Sequence, residues 1–268
     1  MIPRSSAHGG TASARVGVSL LVPGILSLIY SVLYDSQIPA FVGLGLTFWG
    51  AVFLLIRSSK YVTSDVVYNS AFPSYSTIDR IIRDFGYKGA AYYIPPYPQD
   101  VYLPDHLKGL KEPVVFLSAT SNSDMPPIEE IAASKFQLKD SRGALITSPG
   151  SGLLSQIEKE LNADFTKMNL KELCEALPHV ISENLGLSKE TELLQEETEI
   201  QLRLSDSLYQ NLYSKENNFK SVNLLGCPIA SAVACAIAKS SGKPVMIKRQ
   251  RITPAGQTIG IWYRIVEA

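Results

Sequence analysis

The sequence predicts an α+β protein, in which an N-terminal two-helix transmembrane hairpin precedes a cytoplasmic soluble region with helices packed on an antiparallel sheet. Three observations support this prediction. Asp35 is the only charged residue between Arg15 and Arg57, although the chain of 268 residues has 25 basic and 25 acidic residues. Beyond Arg57, helical and alternating apolar patterns follow one another. No parallel βαβ series is apparent, and the last two strands are joined by a turn signal.

Two uncharged runs, 16–34 and 36–56, form the predicted hairpin. A run of about 20 apolar residues spans a hydrocarbon core of about 30 Å, so we expect spans at about 16–34 and 38–56. The turn after Asp35 is too short for anything but an antiparallel pair. A pair of buried core helices is one alternative. A cleaved signal peptide followed by one span is another, although its apolar region would be too long and no small-residue cleavage site precedes the turn.

Basic residues at both ends of the hairpin predict its orientation. Arg4 and Arg15 precede the first span, Arg57 and Lys60 follow the second, and the connecting turn has no Lys or Arg. The positive-inside rule then places both termini in the cytoplasm, as in a two-span protein of the cell membrane. The three cysteines agree with a reducing compartment, because an odd and sparse set does not form a disulfide framework.

Composition divides the chain into four predicted segments. They are a disordered tail (1–15), the transmembrane hairpin (16–57), a Tyr/Pro-rich membrane-proximal α+β region (58–162) and a C-terminal α+β domain (163–268). In the membrane-proximal region, apolar periodicity predicts helices over 74–85 and 151–161 and strands over 90–94, 113–118 and 144–147.

The C-terminal domain shows more regular patterns. A helix is predicted over 169–185, with a kink or break at Pro178. The later elements are strands over 191–195 and 198–204, a short helix from 208 to 213, a helix of small residues over 227–239, and strands over 245–252 and 258–266 joined by Pro254-Ala255-Gly256.

The segment from Gly226 to the end of the chain resembles the C-terminal half of 4-vinyl-reductase-like domains, which are related to TRAPP-type trafficking subunits. The likeness rests on Gly226-Cys227-Pro228, the small-residue helix, the Gly242-Lys243-Pro244 turn and the final hairpin. The whole chain is also similar to uncharacterised archaeal membrane proteins with two N-terminal spans. Pro228 stands where those domains often have a histidine after the cysteine. The resemblance implies ligand sensing and dimerisation, usually without catalysis.

Cys227 is the first candidate site residue. Pro228 fits the first turn of a helix, which places Cys227 at the helix N-terminus, where the orphan amides and the helix dipole favour a thiolate. The functional interpretation is a reactive or ligand-contacting thiol. The structural interpretation is a small buried residue in a tightly packed helix, and it is favoured because no base is adjacent in the sequence.

Two further features are candidate binding surfaces. The turn formed by Gly150, Ser151 and Gly152 follows a strand and opens a helix, as in an anion-binding turn, but it has no Lys for a phosphate loop. Tyr92, Tyr93 and Tyr97 lie in a Tyr/Pro-rich string that suits a ligand groove or a partner surface, or the packing of an irregular segment.

Function is expected to be non-enzymatic. Neither the histidines nor the motifs predict a metal site, a cofactor or a hydrolase or kinase centre. We expect a membrane-anchored ligand-sensing or protein-interaction module that contacts the bilayer, a small apolar or lipid-like ligand, and a second copy or a membrane-complex partner. A thiol enzyme using Cys227 and a structural subunit of a membrane complex are the alternatives. Nucleic acid is excluded as a partner, since the chain has no net charge.

Overall fold

The computed structural model divides the chain into two compact units, Met1–Val62 and Thr63–Ala268. The residues that it describes are 9–55, 63–98, 101–104, 107, 110–120, 125–133, 135–138, 142–196, 199–214, 217, 219–253 and 257–267. The class is α+β, as predicted, with an apolar helical pair followed by helices and a seven-stranded antiparallel sheet.

The first unit is an antiparallel pair of helices, α1 (Gly9–Tyr34) and α2 (Gln37–Leu55). Their segments Val16–Tyr34 and Gln37–Leu54 are long and apolar enough to cross a membrane. Helix α1 begins at Gly9, within the segment predicted as a tail, and continues through Pro23. The basic residues that predict the orientation lie outside the described residues, except for the backbone of Arg15.

Facing glycines allow α1 and α2 to pack closely. A Cβ atom on Gly24 would lie 2.8 Å from the backbone nitrogen of Thr47, and one on Gly50 would lie 2.9 Å from that of Leu21. By contrast, a Cβ atom on Gly45 would meet nothing within 4 Å. Small residues at such positions let helix backbones approach, and van der Waals packing between close backbones is a main source of helix association in lipid.

The second unit begins with α3 (Ser64–Asp84) and is built around one sheet. Its strands are β1 (Ala91–Ile94), β2 (Val114–Ser118), β3 (Gly143–Thr147), β4 (Glu190–Gln195), β5 (Glu199–Ser205), β6 (Val245–Ile252) and β7 (Thr258–Ile265). Each agrees with a predicted strand to within about two residues, which is the usual uncertainty of an element boundary. The order β3-β2-β1-β6-β7-β5-β4 joins the two predicted soluble segments in a single sheet.

The remaining α-helices of the second unit are α4 to α8. They are α4 (Ile128–Ala132), α5 (Ser151–Leu161), α6 (Leu170–His179), α7 (Lys220–Leu225) and α8 (Pro228–Ser241). The predicted break at Pro178 is followed by a π-helical turn, Val180–Asn184, and the chain then leaves the helix at Gly186, whose φ is +60°. The short helices α4 and α7 are not predicted by the sequence patterns.

Helix α3 is longer than the predicted helix, which begins only at residue 74. The structure extends the helix back to Ser64, through Pro73. The Phe72 ring joins this extension to a distant segment, since it contacts Phe219 with centroids 5.4 Å apart; within α3 it also contacts Tyr68, with centroids 5.7 Å apart. Tertiary contacts of this kind override a proline's local preference to end a helix.

Helix α8 is the centre of the main hydrophobic core. It lies between the sheet and the outer helices α5 and α6, and every residue from Pro228 to Ala238 is buried. Ala, Ser and Cys side chains on most of its surface allow this close packing, while Ile229, Val233 and Ile237 form a larger apolar ridge on one face. Among the described residues, the stretch Lys220–Ser241 is a third segment that is apolar enough to cross a membrane, although 89% of it is buried inside the second unit. A smaller cluster, which includes Phe116 and Ile131, covers the opposite face of β1 to β3.

Candidate functional site

The turn between α7 and α8 carries the candidate residue Cys227. Gly226 has a φ of +67°, which is a left-handed conformation that glycine adopts readily, and it reverses the chain after α7. Cys227 then occupies the N-cap of α8, with Pro228 at the first helical position, as the sequence predicts.

Four tyrosine hydroxyls surround this turn, and Tyr75, Tyr93 and Tyr263 are fully buried while Tyr213 is half-buried. Tyr75 donates a hydrogen bond to the Gly226 carbonyl at 2.8 Å, Tyr93 to the Leu225 carbonyl at 2.7 Å, and Tyr263 to the Ala230 carbonyl at 2.9 Å; Tyr213 accepts one from the Cys227 amide at 2.8 Å. They satisfy carbonyls at the end of α7 and in the first turn of α8, and an amide that α8 leaves without an intrahelical partner. We call Tyr75, Tyr93, Tyr213 and Tyr263 the tyrosine cluster.

The environment of Cys227 favours the protonated thiol. The side chain is completely buried, and this burial raises the thiol pKa, an effect that hydrogen bonding to nearby backbone groups and to Tyr213 only reduces. A nucleophilic cysteine needs a lowered pKa, a base and solvent access. The structure places Cys227 in the core instead, which is the packing interpretation of this residue.

The other two cysteines are protonated as well. Burial raises the pKa of Cys235 to about 12, and its Sγ lies 3.1 Å from Ser148 Oγ as a hydrogen-bond donor. Burial, assisted by the nearby Glu175 carboxylate, raises the pKa of Cys174 to about 11. The three thiols are free and buried.

The predicted anion-binding turn makes its polar contacts within the protein. The Gly150 amide donates to Ser231 Oγ at 3.1 Å, and the Ser151 amide donates to the Ser148 carbonyl at 3.0 Å. A Cβ atom on Gly150 would lie only 2.1 Å from the Ala232 amide nitrogen, so this glycine is needed for close packing against α8. Gly152 alone is exposed, and the anion role of the turn stays a prediction.

The three predicted tyrosines point to different parts of the molecule. Tyr93 faces the main core, where it is part of the tyrosine cluster. Tyr92 lies on the opposite sheet face, with its ring stacked on Phe116 at a centroid distance of 6.1 Å. Tyr97 follows β1 and is 42% exposed. The string therefore does not form one surface.

Tyr97 lines an apolar groove of about 490 Å³, which we call the Tyr97 groove. The chain after β1 forms one wall, held by a hydrogen bond from the Tyr97 amide to the Leu110 carbonyl at 2.8 Å. The described residues that line it carry no charge: Ile94, Pro95, Pro96, Tyr97, Pro98, Leu110, Met125, Pro126, Ile128, Ile131, Gly242 and Pro244. The sequence pattern offers only the first wall as a candidate surface, because Met125, Ile128 and Pro244 come from distant segments.

Metal binding has little support in the described part of the chain, where no three His, Cys, Asp or Glu side chains cluster. His179 is exposed, and its Nδ1 atom lies 3.0 Å from Oε1 of Glu183, one helical turn away. His8 and His106 lie outside the described residues.

A comparison with protein families matches nearly the entire chain, residues 8–263, to a family described as a domain of unknown function (DUF7982). The chain belongs to this family. The DUF7982 match includes both the helical hairpin and the soluble unit, so the two are parts of one family pattern. The comparison gives no support to the resemblance with 4-vinyl-reductase-like domains or with archaeal membrane proteins. Neither the curated proteins nor the solved structures contain a match.

Proposed function

We propose that this protein is a membrane-anchored, non-enzymatic module whose soluble unit binds a small apolar or lipid-like ligand in the Tyr97 groove. The groove is the observation that supports this proposal. Its volume of about 490 Å³ falls in the range of small-molecule sites, and its described lining is uncharged. The hairpin supports the choice of ligand, because apolar molecules concentrate in a bilayer.

The orientation belongs to the same proposal. The basic residues that flank the spans favour both termini on the cytoplasmic side. Single cysteines introduced in the 35–37 turn test this orientation in intact cells. We expect a membrane-impermeant maleimide to label the turn. If it labels a cysteine in the soluble unit and not one in the turn, the topology is the opposite of the one proposed.

The ligand can be tested with the detergent-extracted full chain. Native mass spectrometry should detect a retained apolar molecule, and a diazirine-bearing palmitate should crosslink to peptides containing Tyr97 or Met125. Ile128, which is 52% exposed, can be changed to Arg without burying a charge. We expect Ile128→Arg to reduce the crosslinking several-fold, because it places a charge in the apolar groove.

A matched control is Leu194→Arg, since Leu194 is 51% exposed and lies in β4, outside the groove. Equal crosslinking in the parent, Ile128→Arg and Leu194→Arg would contradict the ligand proposal. A stable protein partner in place of a small molecule would favour the alternative of a membrane-complex subunit.

A thiol enzyme is less well supported, because Cys227 is buried and its pKa is raised. The resemblance of the C-terminal segment to 4-vinyl-reductase-like domains remains an argument for ligand sensing and for dimerisation. Native mass spectrometry of the same sample reports the oligomeric state.

A further inference from the structure

One face of the sheet carries exposed arginines around a tryptophan. Strands β4 to β7 pack their inner side chains against the helices, and their other face presents Arg203, Arg249, Arg251 and Arg264. Trp262 lies at the centre of this set. We call these four arginines and Trp262 the arginine face.

The strand register explains why these side chains are neighbours. Trp262 is paired with Arg249 on β6, and Gly260 is paired with Arg251 on β6 and with Arg203 on β5. A bulge between Ile247 and Arg249 shifts the register of β6, so that Arg249 comes opposite Trp262. Bulges commonly re-aim a side chain in this way.

Trp262 lies flat against the sheet. Two of its indole carbons lie 3.0 and 3.2 Å from the position that a Cβ atom on Gly260 would occupy. The absence of that atom makes room for the indole. The Arg249 guanidinium carbon lies 4.3 Å from the centre of the ring. Such stacking fixes a guanidinium plane while its N–H groups remain available to an anion.

The carboxylates on this face neutralise only part of its charge. Glu192 pairs with Arg203 at 3.0 Å, while Glu199 pairs with Lys248 and lies 3.9 Å from Arg264. Among the described residues, Arg249 and Arg251 form no contact ion pair, although Arg249 is near enough to Glu199 to help Lys248 lower the pKa of that carboxyl. The unpaired positive charge is therefore beside Trp262.

We propose that the arginine face binds the phosphate groups of anionic phospholipids. Guanidinium groups pair with phosphate, and tryptophan is enriched where proteins meet the membrane interface. Two helices of the same chain are long and apolar enough to cross a membrane, so a lipid surface is the polyanion that this face would meet at high effective concentration. The soluble part has 23 basic and 24 acidic residues from Arg57 onward, which disfavours a nucleic acid.

The chain has two tryptophans, Trp49 and Trp262, so tryptophan fluorescence can report on Trp262 once Trp49 is replaced. Trp49→Phe leaves Trp262 as the only indole of the full-length protein. This variant is reconstituted into nanodiscs of phosphatidylcholine, alone or mixed with phosphatidylglycerol, and acrylamide quenching of the fluorescence is measured. We expect weaker quenching in the anionic discs, with the protection lost at high salt.

Charge reversal identifies the residues responsible. Arg249→Glu with Arg251→Glu should remove the protection, since each basic residue near an anionic surface changes binding by about fivefold. The matched control reverses Lys159 and Lys171, which are exposed on the helices α5 and α6. Quenching that is the same in both lipids, or protection that survives the Arg249/Arg251 reversal, would overturn the proposal.

Discussion

The Tyr93 hydroxyl donates a hydrogen bond to the Leu225 carbonyl at 2.7 Å across a separation of 132 residues. It links β1 to the end of α7 and is completely buried. With the other three hydroxyls of the tyrosine cluster, it holds the turn that begins the central helix α8. The chemistry of these tyrosines is therefore structural, and changes to them should affect stability.

Tyr93→Phe should lower the free energy of unfolding by about 1–3 kcal/mol, because it leaves the Leu225 carbonyl buried without its partner. Chemical denaturation of the detergent-solubilised protein measures this change. Tyr102→Phe is the control, since Tyr102 is 87% exposed. Equal stability of the two variants would show that the Tyr93 hydrogen bond makes no net contribution.

Gly150→Ala should destabilise the protein strongly, whereas Gly152→Ala should not. The added methyl at Gly150 would lie 2.1 Å from a backbone nitrogen of α8, but at Gly152 nothing lies within 4 Å. Alanine in the first turn of α5 even improves helix propensity, by up to about 1 kcal/mol. Thermal unfolding compares the pair, and a mild effect at Gly150 would mean that α5 and α8 can separate at little cost.

Stability should fall as the pH rises above about 8.5, the ordinary pKa of an unfolded cysteine. The pKa of Cys235 is raised by burial to about 12, so the folded state keeps a proton that the unfolded state loses. The stabilisation is complete below pH 8.5 and is lost progressively up to the folded pKa, by about 2 kcal/mol near pH 10. Cys235→Ser should reduce this loss by that amount when unfolding is followed across the pH range. Parallel pH profiles for the two proteins would exclude Cys235 as the source.

Gly24→Leu or Gly50→Leu should loosen the pair formed by α1 and α2, because the new side chain would collide with the facing backbone. Gly45→Leu is the matched control, with open space at the same kind of position. Hydrogen exchange of the two helices in detergent should accelerate only for Gly24 and Gly50. Acceleration of similar size at Gly45 would indicate a general effect of helix substitution.

Local pattern predicts the elements of this fold well, since alternating apolar residues identify strands such as β5 and helical spacing identifies α5. It does not predict which strands become neighbours. The pairing of Tyr93 with Val245 depends on long-range packing that no local spacing encodes. The extension of α3 through Pro73 is missed for the same reason, since Phe219 supports it from a distant segment.

The candidate site is predicted only in part. The N-cap position of Cys227 follows from Pro228, but its burial and its tyrosine neighbours come from four separate parts of the chain. Tyr97 lies at a groove wall, whereas the alternating directions of a strand send Tyr92 and Tyr93 to opposite faces. The arginine face depends on cross-strand register, and the bulge that sets it leaves no clear signal in the sequence.

The junction between β1 and β6 has a consequence for biosynthesis. Tyr92 pairs with Met246, so the middle of the sheet closes only after about 150 further residues have been made. Until then β1 has an unpaired edge, and a chain that stops before β6 would keep it. Premature termination late in translation should therefore yield an aggregation-prone product, and chaperone demand should be highest just before the last two strands emerge from the ribosome.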